Sequence, residues 1–182
     1  MSALQRAFLA VVPPPDVLDA VDGLFDRSAR SRFQWTRRDQ WHLTVQYFGK
    51  VADADALVGA LAGALGDAAA PTVQLQGSGG FPSDRRAVVF WLGVADAEPL
   101  RSVHRIVADG AQPFIRSRDL VPFVPHLTLA RLKHASKLVA EIDALADVPI
   151  GRAWTVDEVV LLESSAQRGG AVYRRIAGFP LA

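Results

Sequence analysis

The 182-residue chain contains no cysteine. It therefore has no disulfide framework, no thiolate zinc site and no thiol nucleophile, so any chemistry it performs comes from other side chains. Net charge is almost absent as well. Twenty Lys and Arg stand against 19 Asp and Glu, leaving +1 at pH 7, a balance that excludes a generally basic nucleic-acid coat. Long hydrophobic runs are also missing. The apolar segment from Ala7 to Val12 is stopped by Pro13, Pro14 and Pro15, and the Ala-rich stretch from Ala56 to Gly66 is bounded by Asp55 and Asp67. Both fall short of the ~20 residues a membrane-spanning helix needs. A soluble, cytoplasmic monomer with no membrane partner is expected. What is present is an ordinary globular balance, 50% hydrophobic and 21% charged. A chain of this length buries roughly 70% of its unfolded surface and needs no metal or disulfide to hold its core.

Periodicity divides the chain into alternating elements. A strand is expected from Arg6 to Val12, then a helix from about Asp16 to Ala29, with Val17, Leu18, Val21, Leu24 and Phe25 on one face. Trp41 to Phe48 reads as a strand, followed by a helix through Leu57, Leu61 and Leu65, and a strand from Thr72 to Gln76. Gly77 to Pro82 reads as a loop. The second half repeats this order: strand Ala87 to Val94, helix Glu98 to Gln112, an irregular stretch to Pro125, strand His126 to Leu132, helix Ser136 to Ala146, and strands at Trp154 to Leu162 and Ala171 to Ala177. The expected fold is α/β (α+β), bilobal and duplicated, with two mostly antiparallel sheets lining a central groove, helices outside, and a pseudo two-fold axis. One domain, 1–182, would be made of two intertwined half-repeats at approximately 5–80 and 85–180.

A repeated tetrapeptide carries the chemistry. His42-Leu43-Thr44-Val45 recurs 84 positions later as His126-Leu127-Thr128-Leu129. On a strand, His42 and Thr44 share one face while Leu43 and Val45 share the other, and the same holds for the second copy. Two such strands related by a pseudo two-fold bring two imidazoles and two hydroxyls to one spot. Imidazoles that titrate near neutrality can serve as base and acid in one step. Hydroxyls between them can donate to an anionic centre such as a phosphate. Metal-free phosphodiester cleavage follows, and no cofactor or metal is expected. A lone strand histidine is ordinarily structural; recurrence at matching positions argues for catalysis. Zinc is the weaker alternative, since neither motif has H-E-x-x-H spacing. His104 in a helix and His134 past a strand read as surface or packing residues.

At these residues the chain resembles the RNA 2′,3′-cyclic phosphodiesterases of the two-histidine phosphoesterase superfamily, historically called 2′-5′ RNA ligases. The resemblance rests on His42 to Gly49 and on Pro125-His126-Leu127-Thr128-Leu129-Ala130-Arg131. It extends to Phe8, the Gly77 to Pro82 loop, Phe90 to Gly93, Ser164 to Tyr173 and Phe179-Pro180-Leu181. Val45, Tyr47 and Phe48 depart from the family pattern only in packing. The resemblance implies opening of a terminal 2′,3′-cyclic phosphate to a 2′-phosphomonoester, with possible reverse ligation. It assigns His42 as proton donor to the departing O3′, His126 as the base that activates water, and Thr44 and Thr128 as holders of the phosphate oxygens. Partners would be RNA 3′ ends carrying 2′,3′-cyclic phosphate, or related cyclic nucleotides. The alternatives are a phosphodiesterase for small cyclic nucleotides or 2′-5′ oligonucleotides, and a non-catalytic RNA-end binder.

Positive charge gathers around both motifs despite the neutral total. Arg27, Arg30, Arg32, Arg37 and Arg38 precede the first; Arg116, Arg118, Arg131 and Lys133 surround the second. Such groups either contact phosphates or form a solvated face with Asp26, Asp39 and Asp119. Arg131 is the leading substrate contact, although strict alternation from His126 puts it on the wrong face unless the strand bulges. Among Trp35, Trp41, Phe48, Phe81 and Trp91, one or two would stack a base, Phe48 and Trp91 foremost.

Overall fold

Apolar side chains recurring every second residue build most of this molecule as strands. The computed structural model describes residues 3–27, 32–116, 122–168 and 170–182, with nine strands and four α-helices among them. In chain order these are β1 (Leu4–Val11), α1 (Pro15–Asp22), β2 (Phe33–Trp35), β3 (Leu43–Val51), α2 (Ala54–Leu65), β4 (Thr72–Phe81), β5 (Ala87–Val94), α3 (Glu98–Gly110), β6 (Leu127–Ser136), α4 (Val139–Asp143), β7 (Pro149–Thr155), β8 (Glu158–Gln167) and β9 (Gly170–Pro180).

All strand pairings recorded are antiparallel. One lobe runs β7-β4-β5-β6, taken from the middle of the chain, and the other β3-β1-β8-β9, which takes strands from both ends. The two expected sheets are thus lobes of a single open sheet, joined through one residue pair, Leu43 opposite Leu127. Past that pair β3 gives up its edge of β6, and β2 takes it, pairing Phe33 with Leu132 and Trp35 with Ala130. The place where the lobes part is the groove.

Local chemistry explains the helices. Pro15 opens α1 and Val17 and Val21 are its buried face. The helix stops at Asp22, well before Ala29, because Gly23 caps it. At the start of α2 the Asp53 carboxylate accepts the Ala56 N–H at 3.0 Å. Leu57, Leu61 and Leu65 then recur at four-residue spacing and are fully buried. In α3 the buried stripe is Leu100, Val103 and Val107, which packs this helix on α2 and the underside of β3.

Besides the shortened α1 and the unexpected β2, three further elements differ from the sequence reading. Gly77 to Phe81 is not a loop but the second half of β4. Its glycines serve close approach: Gly77 takes φ +70° at an irregularity in the β4/β5 register, and a Cβ on Gly79 would overlap the Trp91 ring. The run from Trp154 to Leu162 divides at Val156-Asp157, sending β7 to one lobe and β8 to the other. The Ser136 helix shrinks to five residues in α4, since β6 claims the chain as far as Ser136.

Candidate active site

Both motif strands carry the same defect at the same place. In β6, Trp91 pairs with Thr128 but Phe90 pairs with Ala130, so Leu129 is an extra residue. In β3, Ala10 pairs with Thr44 but Leu9 pairs with Gln46, so Val45 is extra. Each bulge puts two consecutive buried residues on the strand, Val45-Gln46 and Leu129-Ala130, and shifts the alternation by one. The next side chains, Tyr47 and Arg131, therefore return to the face of the histidine and threonine. This resolves the face conflict for Arg131: it lines the groove together with Tyr47.

The Leu43–Leu127 register also sets the pairs within the groove. In an antiparallel ladder it puts His42 across from Thr128 and Thr44 across from His126. All four line one cavity of about 520 Å³. Both imidazoles are oriented in the same way. His42 Nδ1–H donates to the Gln40 carbonyl at 2.7 Å, and His126 Nδ1–H to the Val124 carbonyl at 2.8 Å. Each bond leaves Nε2 as the working nitrogen. The Thr44 hydroxyl lies 3.1 Å from His42 Nε2 and donates to it when the ring is neutral. Among the described residues, His126 Nε2 has no such partner.

Aromatic rings wall each imidazole. Phe8 sits 4.9 Å from His42, and Tyr173 meets it edge-on at 5.2 Å and 89°. Phe81 meets His126 at 4.9 Å and 84°, with Trp91 behind at 6.0 Å. This apolar packing depresses both pKa values, because burial disfavours the imidazolium. For His42 the Gln40 carbonyl opposes that effect, and the charge of His126 adds to it. For His126 the Val124 carbonyl opposes it, and the neighbouring Arg131 cation adds to it. Burial pushes the Tyr173 phenol up, while Arg131 pulls it down. The guanidinium thus acts on both sides of the groove.

The remaining expected residues are sorted by burial and pairing. Phe48 is a correction: it is 0% exposed in the core, because the bulge turns it inward, so it stacks no base. Trp91 lies half-buried across from Thr128 and beside His126. Trp41 is also core, with Arg27 over its ring at 5.0 Å. Trp35 does line the groove. Of the arginines, Arg37 reaches the groove while bonded to Asp39. Arg27 pairs with Asp22, Arg32 with Glu141 and Arg38 with Asp19, and Arg116 bonds the Lys50 carbonyl. Arg30, Arg118 and Asp119 lie outside the described residues. His104 is a packing residue, as expected, stacked on Phe123 and bonded to the Val45 carbonyl. Sequence reasoning missed Arg6, Gln34, Gln40, Ser164 and the role of Tyr173, all groove-lining. Only Tyr47 left a signal, since aligning the two motifs sets it opposite Arg131.

Comparison with known proteins decides the family. The profile of the 2′-5′ RNA ligase superfamily matches residues 13–168. The chain belongs to the 2′-5′ RNA ligase superfamily. The RNA 2′,3′-cyclic phosphodiesterase of Methanothermobacter thermautotrophicus is 30% identical over 188 residues, spanning 97% of this chain and 98% of its own. That of Geobacillus stearothermophilus is 29% identical over 150 residues, spanning 81% of this chain and 47% of its own. Among superfamily structures, E. coli LigT complexed with 3′-AMP superposes with a TM-score of 0.74 at 26% identity, covering 98% of this chain and 99% of LigT. The Thermus thermophilus protein TT0787 shares the fold, with a TM-score of 0.80 at 24% identity over 97% of this chain and 98% of its own. In this superfamily member the described residues hold no cluster of three or more His, Asp or Glu able to ligate a metal.

Proposed function

We propose that this protein is an RNA 2′,3′-cyclic phosphodiesterase that works without metal, by acid-base catalysis between His126 and His42. The observation that carries the reading is the pair of imidazoles, each tied at Nδ1 to the carbonyl two residues earlier and each presenting Nε2 to one groove. The names of the superfamily relatives supply the substrate class.

In the proposed step, His126 Nε2 removes a proton from water, and the water oxygen forms a new bond to phosphorus. The phosphorus–O3′ bond breaks in line, and His42 gives its Nε2 proton to O3′. The product is a 2′-phosphomonoester. Thr44 and Thr128 donate to the non-bridging oxygens, and Arg131 offsets the charge that builds on them. Electrostatics supports this polarity. The Arg131 cation favours neutral His126, the form a base requires. Both rings have a backbone carbonyl at Nδ1 that favours the proton, so the cation beside His126 is what separates them. With a ribose 5′-hydroxyl in place of water as the nucleophile, and O3′ again leaving, the same pair would join two ends through a 2′-5′ linkage.

Each motif strand comes from one of the two half-repeats, 5–80 and 85–180, so a single chain completes the site and a monomer suffices. No described helix is long and apolar enough to cross a membrane, and we place the activity on cytoplasmic RNA ends. The deciding experiment incubates the protein with an oligoribonucleotide ending in 2′,3′-cyclic phosphate in the presence of EDTA and identifies the product. A 2′-monophosphate supports the reading. A 3′-monophosphate reverses the roles of the histidines, and loss of activity on chelation overturns the metal-free mechanism.

A further inference from the structure

The groove continues at both ends of β6, and the two continuations differ in chemistry. Beside the segment that leads into His126 lies an apolar slot of about 720 Å³, walled by Tyr47, Phe81, Pro82, His104 and Phe123, that shares Thr44 and His126 with the catalytic groove. His104 is stacked flat on Phe123, 4.4 Å between centroids, with Nδ1 spent on the Val45 carbonyl. Its Nε2 is left as a hydrogen-bonding atom at the slot wall. At the far end of the strand a second, smaller groove of about 320 Å³ is lined by Arg32, Phe33, Gln34, Lys133, His134 and Ser136, and it shares Gln34 with the catalytic groove.

Register explains the second groove. Gln34 lies opposite Arg131, and the same antiparallel count puts Arg32 opposite Lys133, so these four side chains face one way. Arg131 and Lys133 are both exposed and, among the described residues, have no carboxylate partner. Arg32 is paired with Glu141. Two residues of strand span about 6.6 Å, close to the step between successive phosphates of an extended ribonucleotide chain.

A cyclic phosphate held between the histidines fixes its own ribose, and the base on that ribose must lie against a neighbouring wall. One neighbour is a polar groove lined by Arg32 and Lys133, and the other an apolar slot with a stacked ring pair. A flat, neutral base fits the slot, whereas the anionic chain upstream fits the cations. We propose that the substrate is an oligonucleotide lying along β6, its terminal base in the slot at Phe123, its cyclic phosphate beside Arg131 and the next phosphate upstream on Lys133. This rests on the phosphodiesterase reading above and extends it: the site is built for the end of a chain and not for a free cyclic mononucleotide.

The test crosses two variants with two substrates. A cyclic 2′,3′-mononucleotide and a trinucleotide ending in 2′,3′-cyclic phosphate are compared by kcat/KM in the parent, Lys133→Ala and Phe123→Leu proteins. The trinucleotide is expected to be about tenfold better in the parent. Lys133→Ala should erase several-fold of that gain and make the salt dependence shallower by about 0.7 on a log–log plot, one single-strand phosphate contact. Lys133→Arg should restore it. Phe123→Leu should lower both substrates by a similar factor, since both carry the terminal base. Equal rates for the two substrates, or equal losses in Lys133→Ala, overturn the proposal, and a loss in Phe123→Leu confined to the trinucleotide reverses its polarity. If no length is hydrolysed, the phosphodiesterase reading fails by itself. The orientation then stands or falls on binding of a 5′-labelled trinucleotide 2′-phosphate: unchanged affinity and salt slope in Lys133→Glu would remove it.

Discussion

The His42 half of the groove and the His126 half are built to one plan and furnished differently. Each has a motif strand with a bulge after the threonine, an imidazole tied to the carbonyl two residues back, and two aromatic walls. The difference lies at the side chain that the bulge returns to the groove, Tyr47 in one half and Arg131 in the other. A cation beside His126 disfavours its protonated form, whereas the first half has only the phenol at the matching position. The Thr44 hydroxyl bonds His42 Nε2, and among the described residues its counterpart nitrogen on His126 has no such partner. Identical backbone geometry can therefore hold two imidazoles with different proton duties, because one neighbouring charge breaks the symmetry.

Removing either imidazole is the largest expected perturbation. His42→Ala and His126→Ala should each lower turnover of a cyclic-phosphate oligonucleotide by about 10²–10⁴-fold. Full activity in either would show that the two halves do not work as a pair. Arg131→Gln comes next, with a loss of about 10²-fold from missing charge stabilisation. It should also raise the pKa of His126, since an adjacent cation no longer opposes its protonation. NMR titration of both rings checks this, and an equal rise at His42 would contradict the asymmetry. The threonines are expected to cost roughly tenfold each as Thr44→Val and Thr128→Val. Only Thr44→Val should move the Nε2 resonance of His42 strongly; equal movement at His126 in Thr128→Val would make the two halves alike.

The smallest effect is on stability. Both rings have folded pKa values below the unfolded imidazole value of about 6.5, so between those values the unfolded chain binds more protons. Stability is complete above that unfolded value and is lost as pH falls through it towards the depressed folded values. Thermal melts should show the midpoint dropping by about a few degrees between pH 7.5 and 5.5. Replacing either histidine by alanine should flatten the slope, more for the ring that is more strongly depressed.

Much of this was legible from pattern. The tetrapeptide repeat located both strands, and strand periodicity correctly set His42 with Thr44 and His126 with Thr128 on one face. The α2 and α3 stripes were equally plain, since leucines and valines at three- and four-residue spacing have only one way to be buried. Phe48 was misread because alternation counts residues, and a bulge adds one: the count that faces Phe48 to the groove in a regular strand turns it into the core here. The same omission made Arg131 look misplaced. The glycines of β4 suggested a loop, since nothing local reveals that Trp91 lies across Gly79. Tyr173 and Phe8 were invisible as a pair because β8 and β9 meet β1 only through long-range pairing.

By itself the sequence singled out the groups to which the chemistry is assigned in our proposal. With no cysteine and nearly no net charge, the duplicated His-x-Thr stood out as the candidate, and side-chain alternation is a local property that needs no partner strand to be read. Only the tertiary structure decided how the duplicated parts differ. Which residue sits across from which, where the bulges fall, and which half meets a cation depend on register between strands distant in the chain, and register is set by packing of the whole sheet.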